Sequence, residues 1–192
     1  PADVRKLFYK VKKAQGTDIT RTFCGLNDTR NIIPSIGYAH DAGMISQCSL
    51  CITHSPIHTV EYYTEMALKL IKAGADEICI KDMAGLLTPY AATELVTALK
   101  QGTKLPIDLH THYTSGVASM TYLKAVEAGC DIIDCAMSPL ALGTSQPATE
   151  VMVETFRGTK YDTGYDQNLL AEITDYFTPI REEALKSGLL NP

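Results

Sequence analysis

The sequence predicts an α/β fold built as part of a (β/α)8 barrel, and three observations carry that expectation. Five short apolar runs begin near residues 18, 44, 77, 106 and 131, each followed by a segment of helical period, and a repeat of roughly 25–33 residues is that of βα units with parallel strands. The first βα turn reads Cys24-Gly25-Leu26-Asn27, without the glycine-rich dinucleotide loop that a doubly wound sheet carries there. Instead, polar groups gather at the carboxyl ends of successive strands: Arg21, Cys51, Lys81, His110 and His112. A barrel builds its active site at that end. Five strands do not close a barrel and the leading helix lacks a strand of its own, so roughly three βα units are expected upstream. The N-terminus, Pro1-Ala2-Asp3-Val4-Arg5, has neither a signal-peptide core nor an initiator Met, and reads as cut from something longer.

Element by element, Val4, Leu7, Phe8 and Val11 form a helical stripe over 2–15, closed by Gly16. Asp18 to Cys24 is a strand with Ile19, Arg21 and Phe23 on one face. Asn27-Asp28 caps a helix running to Gly43, with Pro34 predicting a kink or a late start. Met44 to Ile52 is a strand with Cys48, Leu50 and Ile52 on one face and Gln47, Ser49 and Cys51 on the other. Tyr63, Met66, Ala67, Leu70 and Ile71 are the buried stripe of a helix from about Pro56 to Ala73. Glu77 to Lys81 is a strand, and Thr88 with Pro89 opens a helix that ends near Gly102. Pro106 to His110 is a strand, Gly116 to Ala128 a helix and Asp131 to Ala136 a strand. Helices over about 147–156 and 167–186 complete the chain. The partial barrel is assigned to 1–165, and 166–192 to a helix leading into a C-terminal helical region.

The chain has 192 residues, 45% hydrophobic and 20% charged, with a formal net charge of −5, which suits one globular α/β core. Mild acidity without a basic, aromatic-interleaved cluster speaks against a nucleic-acid partner. No apolar run approaches the ~18 residues of a membrane span. The six cysteines lie mostly in apolar strand-like runs, as free thiols do in a reducing cytoplasm. Cys48-x-x-Cys51 has a redox or zinc spacing, but it sits on a strand-like run with no second pair.

The chemistry centres on two strand ends. Asp108, His110 and His112 share a face at period two, so the two imidazoles converge on one point, as metal ligands must. Two satisfied polar histidines are the plainer alternative. Right-handed crossovers place the Lys81 strand beside the histidine strand. Lys81 is there either as an ordinary strand-end cation or, after its amine takes up carbon dioxide, as an anionic carbamate ligand. A divalent ion on such a set would act as a Lewis acid on a carbonyl oxygen. That suits carboxyl loss or transfer next to the ketone of a 2-oxo acid. An inward Arg21 needs an anion, either a small substrate carboxylate or a barrel carboxylate. Gly143-Thr144-Ser145-Gln146-Pro147 offers N–H groups and hydroxyls at a helix start, for an anion or for the helix itself.

Ile80-Lys81-Asp82-Met83-Ala84-Gly85-Leu86-Leu87-Thr88-Pro89, His110-Thr111-His112, Thr114-Ser115-Gly116 and Gly143-Thr144-Ser145-Gln146-Pro147 together closely resemble the biotin-dependent carboxyltransferase domain family. That family comprises the oxaloacetate decarboxylase α subunit, the pyruvate carboxylase carboxyltransferase domain and the transcarboxylase subunit acting on pyruvate. The resemblance spans the first helix to about Lys186. It implies a TIM barrel followed by helices, carbamylated Lys81 with His110 and His112 as metal ligands, Arg21 on the oxo-acid carboxylate, Met83 against the substrate and Cys51 near the same pocket. It also implies zinc, cobalt or manganese, biotin on another domain or subunit, pyruvate or oxaloacetate as substrate, and a homo-oligomer. The protein would be cytoplasmic, reaching the membrane only through decarboxylase partner subunits. The family's Phe-Asp-Ala/Ser-Leu-Asn is here Phe23-Cys24-Gly25-Leu26-Asn27. Its metal-binding Asp on the first strand and its catalytic Thr belong to segments outside this chain, so the chain alone is expected to be inactive. Two alternatives stand: an acyl-CoA Claisen lyase or synthase of the same barrel, typically with Asp-Thr where this chain has Lys81-Asp82, and a non-catalytic partial barrel.

Overall fold

The computed structural model describes residues 1–190. Strands β1 (Ile19–Thr22), β2 (Ile45–Cys51), β3 (Glu77–Asp82), β4 (Ile107–Thr111) and β5 (Ile132–Ile133) form one sheet, parallel throughout and in chain order. Helices α1 (Ala2–Ala14), α2 (Thr29–Asp41), α3 (Val60–Lys72), α4 (Pro89–Gly102), α5 (Ala118–Glu127), α6 (Thr149–Phe156) and α7 (Gln167–Lys186) alternate with and follow the strands. A flat sheet would separate β1 from β5 by about 19 Å. Yet Arg21 of β1 bonds the carboxylate of Asp134, just past β5, so the sheet curls as a barrel wall does.

Alternation sorts each strand into two faces. Cys48, Leu50, Ile78, Ile80, Ile107 and Leu109, all fully buried, point towards the helices and pack on Ile36, Leu70, Val96 and Tyr122. Burying one such aliphatic side chain contributes about 1.5–3 kcal/mol. Helix starts follow local chemistry: Asp28, Thr59, Thr88 and Asp166 each accept a backbone N–H of the first turn, and Pro89 needs no partner at its position.

Several expectations are corrected. The third helix starts at Val60 rather than near Pro56, because Thr59 is its cap. The last strand pairs over two residues only, since Asp134 turns its carboxylate into the concavity while its N–H still reaches Leu109 O. Pro34 lies inside α2 as expected, but the helix starts at Thr29, so the late start is not seen. In α1 the stripe is exposed, Val4 and Leu7 each at 62%, and the helix is held instead by Tyr9, which packs with Ala39 and Met44 and bonds Thr22 Oγ1. Periodicity identifies an apolar stripe; it does not say which neighbour the stripe meets.

Candidate active site

The concave face carries Arg21, Gln47, Ser49, Cys51, Glu77, Cys79, Lys81, Asp108, His110 and His112. Barrel lumens are more often filled with branched aliphatic residues. Gln47, Ser49, Cys51, Cys79 and Asp108 are buried there, so this polar surface must satisfy itself.

The histidines converge as the spacing predicts. His110 Nε2 and His112 Nε2 lie 3.2 Å apart, although His112 is one residue beyond β4, because His112 N extends the ladder to Asp82 O. His112 Nδ1 lies 2.5 Å from Thr144 O, and a carbonyl only accepts, so Nδ1 carries the proton and Nε2 the lone pair. His110 Nδ1 donates to Asp134 Oδ2 at 2.7 Å, which leaves its Nε2 lone pair facing that of His112. Two lone pairs at that distance repel unless a cation or a shared proton lies between them. Ligands held at 2.0–2.1 Å from one ion sit about 2.9 to about 3.4 Å apart for right-angled to tetrahedral placement. The pair fits a metal, with the Nδ1 anchors that metal-binding histidines use. Among the described residues there is no cluster of three His, Cys, Asp or Glu side chains able to hold an ion, so the imidazoles need a donor of another kind.

Lys81 is in register with His110 on one side and Cys51 on the other. Its Nζ lies 5.0 Å from the centre of the Phe23 ring, a cation–π contact open to the unmodified ammonium. The following turn is held by buried Asp82, which accepts from Leu86 N, Leu87 N and Thr111 Oγ1. At Gly85, with φ +68°, an added Cβ would lie 2.6 Å from His112 O, so the lysine and histidine turns touch backbone to backbone. Met83, in the same turn, is exposed. Cys51 is buried, and burial raises its thiol pKa despite the opposing charge of Lys81. Asn27 takes no part in capping α2; at φ +54° it bonds both N and O of Cys51 and pins the end of β2.

At Arg21 the anion comes from the protein. Nη2 meets Asp108 Oδ2 at 2.5 Å, Nη1 meets Asp134, and Nε meets Gln47 Oε1, so the barrel carboxylates of the second reading are in place. Burial, and then the charge of Asp134, push Asp108 up to about 6. Burial also opposes ionisation of Asp134, but the His110 hydrogen bond and Arg21 outweigh it and hold that carboxyl down to about 2.

No sequence motif points to Asp134, which falls in a run that reads only as a strand. The 143–147 loop is also corrected: it presents carbonyls, Thr144 O to His112 and Ser145 O to Tyr113 N, instead of N–H groups for an anion. α6 begins beyond it, at Thr149. Cys48 and Cys51 lie on opposite faces of β2, which rules out joint chemistry, and all six cysteines are free. No helix among the described residues is long and apolar enough to cross a membrane.

Comparison with known proteins agrees with the fold. Over 183 residues the chain is 54% identical to a pyruvate carboxylase subunit from Methanocaldococcus jannaschii, covering 95% of the chain and 32% of that protein. It is 41% identical to the methylmalonyl-CoA carboxyltransferase 5S subunit of Propionibacterium freudenreichii subsp. shermanii, over 89% of the chain and 34% of that subunit. The carboxyl transferase domain of Rhizobium etli pyruvate carboxylase, solved with pyruvate and biocytin, superposes with a TM-score of 0.92 at 40% identity, covering 94% of the chain and 32% of that structure. The chain thus spans about a third of the length of these relatives. Its sheet and helices correspond to part of a TIM-barrel carboxyltransferase domain. The HMGL-like family profile matches residues 28–176, most of the chain, and the chain belongs to the HMGL-like family.

Proposed function

We propose that the chain supplies one wall of the active site of a biotin-dependent carboxyltransferase, which moves a carboxyl group between a 2-oxo acid of the pyruvate and oxaloacetate type and biotin. The observation that carries this reading is the convergence of His110 Nε2 and His112 Nε2, 3.2 Å apart, with Lys81 in register beside them. The relatives named above support the substrates, and biotin would arrive on another domain or subunit. Residues 1–165 act as the barrel part, and α7 leads into a helical region. Lys81 as a carbamate, His110 and His112 would hold a divalent ion, zinc first and cobalt or manganese next, which when bound polarises the keto oxygen of the substrate.

The chain's own residues do the positioning. Asp134 and Thr144 O fix the imidazole protons on Nδ1 and leave Nε2 free to coordinate. Exposed Met83 offers the substrate an apolar surface beside Lys81, while the raised pKa of Cys51 keeps an uncharged thiol at the wall. Arg21 braces Asp108 and Asp134 and, being partly exposed, is the cation that the substrate carboxylate would meet.

The test uses the full-length protein. Lys81→Arg keeps a cation but forms no carbamate, and carboxyl transfer should fall to background. Wild-type crystals should show an added carboxyl group on Lys81, and His110→Ala should lose most of about one bound divalent ion per subunit. Full activity in Lys81→Arg, or unchanged metal in His110→Ala, would refute the assignment.

A further inference from the structure

We propose that Asp134 is a positioning residue for the metal site: it selects the tautomer of His110 that presents a lone pair to the ion. The inference rests on the reading of His110 as a ligand. Asp134 is held by more than its contact with the ring. Its N–H donates to Leu109 O at 3.1 Å, and its carbonyl accepts the hydroxyl of fully buried Tyr122. Its carboxylate takes Arg21 on both oxygens, and Oδ2 also takes His110 Nδ1–H. Arg21 is fixed in turn by Asp108 and by Gln47, whose amide reaches Asp108 and Glu77. A polar chain thus crosses all five βα units from Glu77 and Gln47 through Arg21 to Asp134, and ends on one imidazole proton. Neutralising Arg21 does not require Asp134, because Asp108 already pairs with that guanidinium at 2.5 Å. What Asp134 alone supplies is an acceptor-only group at His110 Nδ1. Such outer partners set ring orientation and ligand basicity in metal sites.

Asp134→Leu tests this at nearly constant shape. Its methyl groups take the place of both carboxylate oxygens and accept nothing, so His110 Nδ1–H loses its acceptor while Arg21 keeps Asp108. The proton moves to Nε2, where the His112 Nε2 lone pair lies 3.2 Å away and accepts it. Nitrogen-15 NMR of the metal-free full-length protein should show His110 as the Nδ1–H tautomer in wild type and the Nε2–H tautomer in Asp134→Leu. Zinc affinity, read by chelator competition, should weaken about 10- to 100-fold in Asp134→Leu and in Asp134→Ala. Unchanged melting of the metal-free Leu variant would separate this effect from loss of fold. If His110→Ala loses zinc while Asp134→Leu keeps both the wild-type tautomer and wild-type affinity, the positioning role is overturned and the ligand assignment survives. If His110→Ala keeps its zinc, the ligand assignment fails and this inference fails with it.

Discussion

The two faces of the sheet share every strand and obey different rules. On the convex face Leu50, Ile78, Ile80 and Leu109 meet helices, and what matters is filled volume. On the concave face Arg21, Gln47, Asp108, Asp134 and His110 are also packed, but each is placed by a donor or acceptor from another βα unit. One face holds the wall together without specifying chemistry. The other specifies chemistry and offers little net stabilisation, since buried ion pairs roughly offset their own desolvation.

Single substitutions can break that contrast. Ile80→Ala, on the fully buried convex side, should cost about 2–5 kcal/mol in chemical denaturation of the full-length protein. A smaller cost would mean that the helices close over the gap. A milder effect is expected where the concave loop is anchored from outside. Glu150 accepts from Ser138 N and from Thr174 on α7; burial works against its ionisation, but these hydrogen bonds outweigh it and its pKa is lowered. Its contribution is therefore present above the ordinary glutamate pKa and lost as the pH falls below it. Glu150→Gln should remove about 1 kcal/mol at neutral pH and flatten that acid limb below the ordinary glutamate pKa of about 4.3. An unchanged acid limb would assign it to other carboxylates. The smallest effect should come from Ser49→Ala on the concave face. Ser49 is fully buried and its hydroxyl has no good hydrogen-bond partner, only the neighbouring Cys79 thiol, so stability should move by less than about 0.5 kcal/mol. A loss as large as that of Ile80→Ala would erase the distinction between the faces.

Much of this is legible in the sequence because period-two alternation fixes which residues share a face. The partners of Lys81 and the convergence of His110 with His112 follow from strand order and parity alone. What alternation does not carry is distance across a curved sheet. Arg21 and Asp134 are 113 residues apart, and their contact depends on the curl, so the anion at Arg21 is open to two readings until the curl is known. Asp134 carries no motif. Its one local signal is a carboxylate at the end of a strand in a chain whose other strand ends bear polar groups. The exposed stripe of α1 and the carbonyl-presenting loop at Thr144 depend on backbone direction and on neighbours, which composition does not encode.

Gly85 has a consequence for protein engineering. Its missing side chain lets the turn after Lys81 lie against the His112 carbonyl, with no room for one extra carbon. Those two turns therefore form a single joint, and a library that varies them independently would be dominated by mismatched pairs. Recombination should exchange 81–88 and 110–116 together, as one cassette.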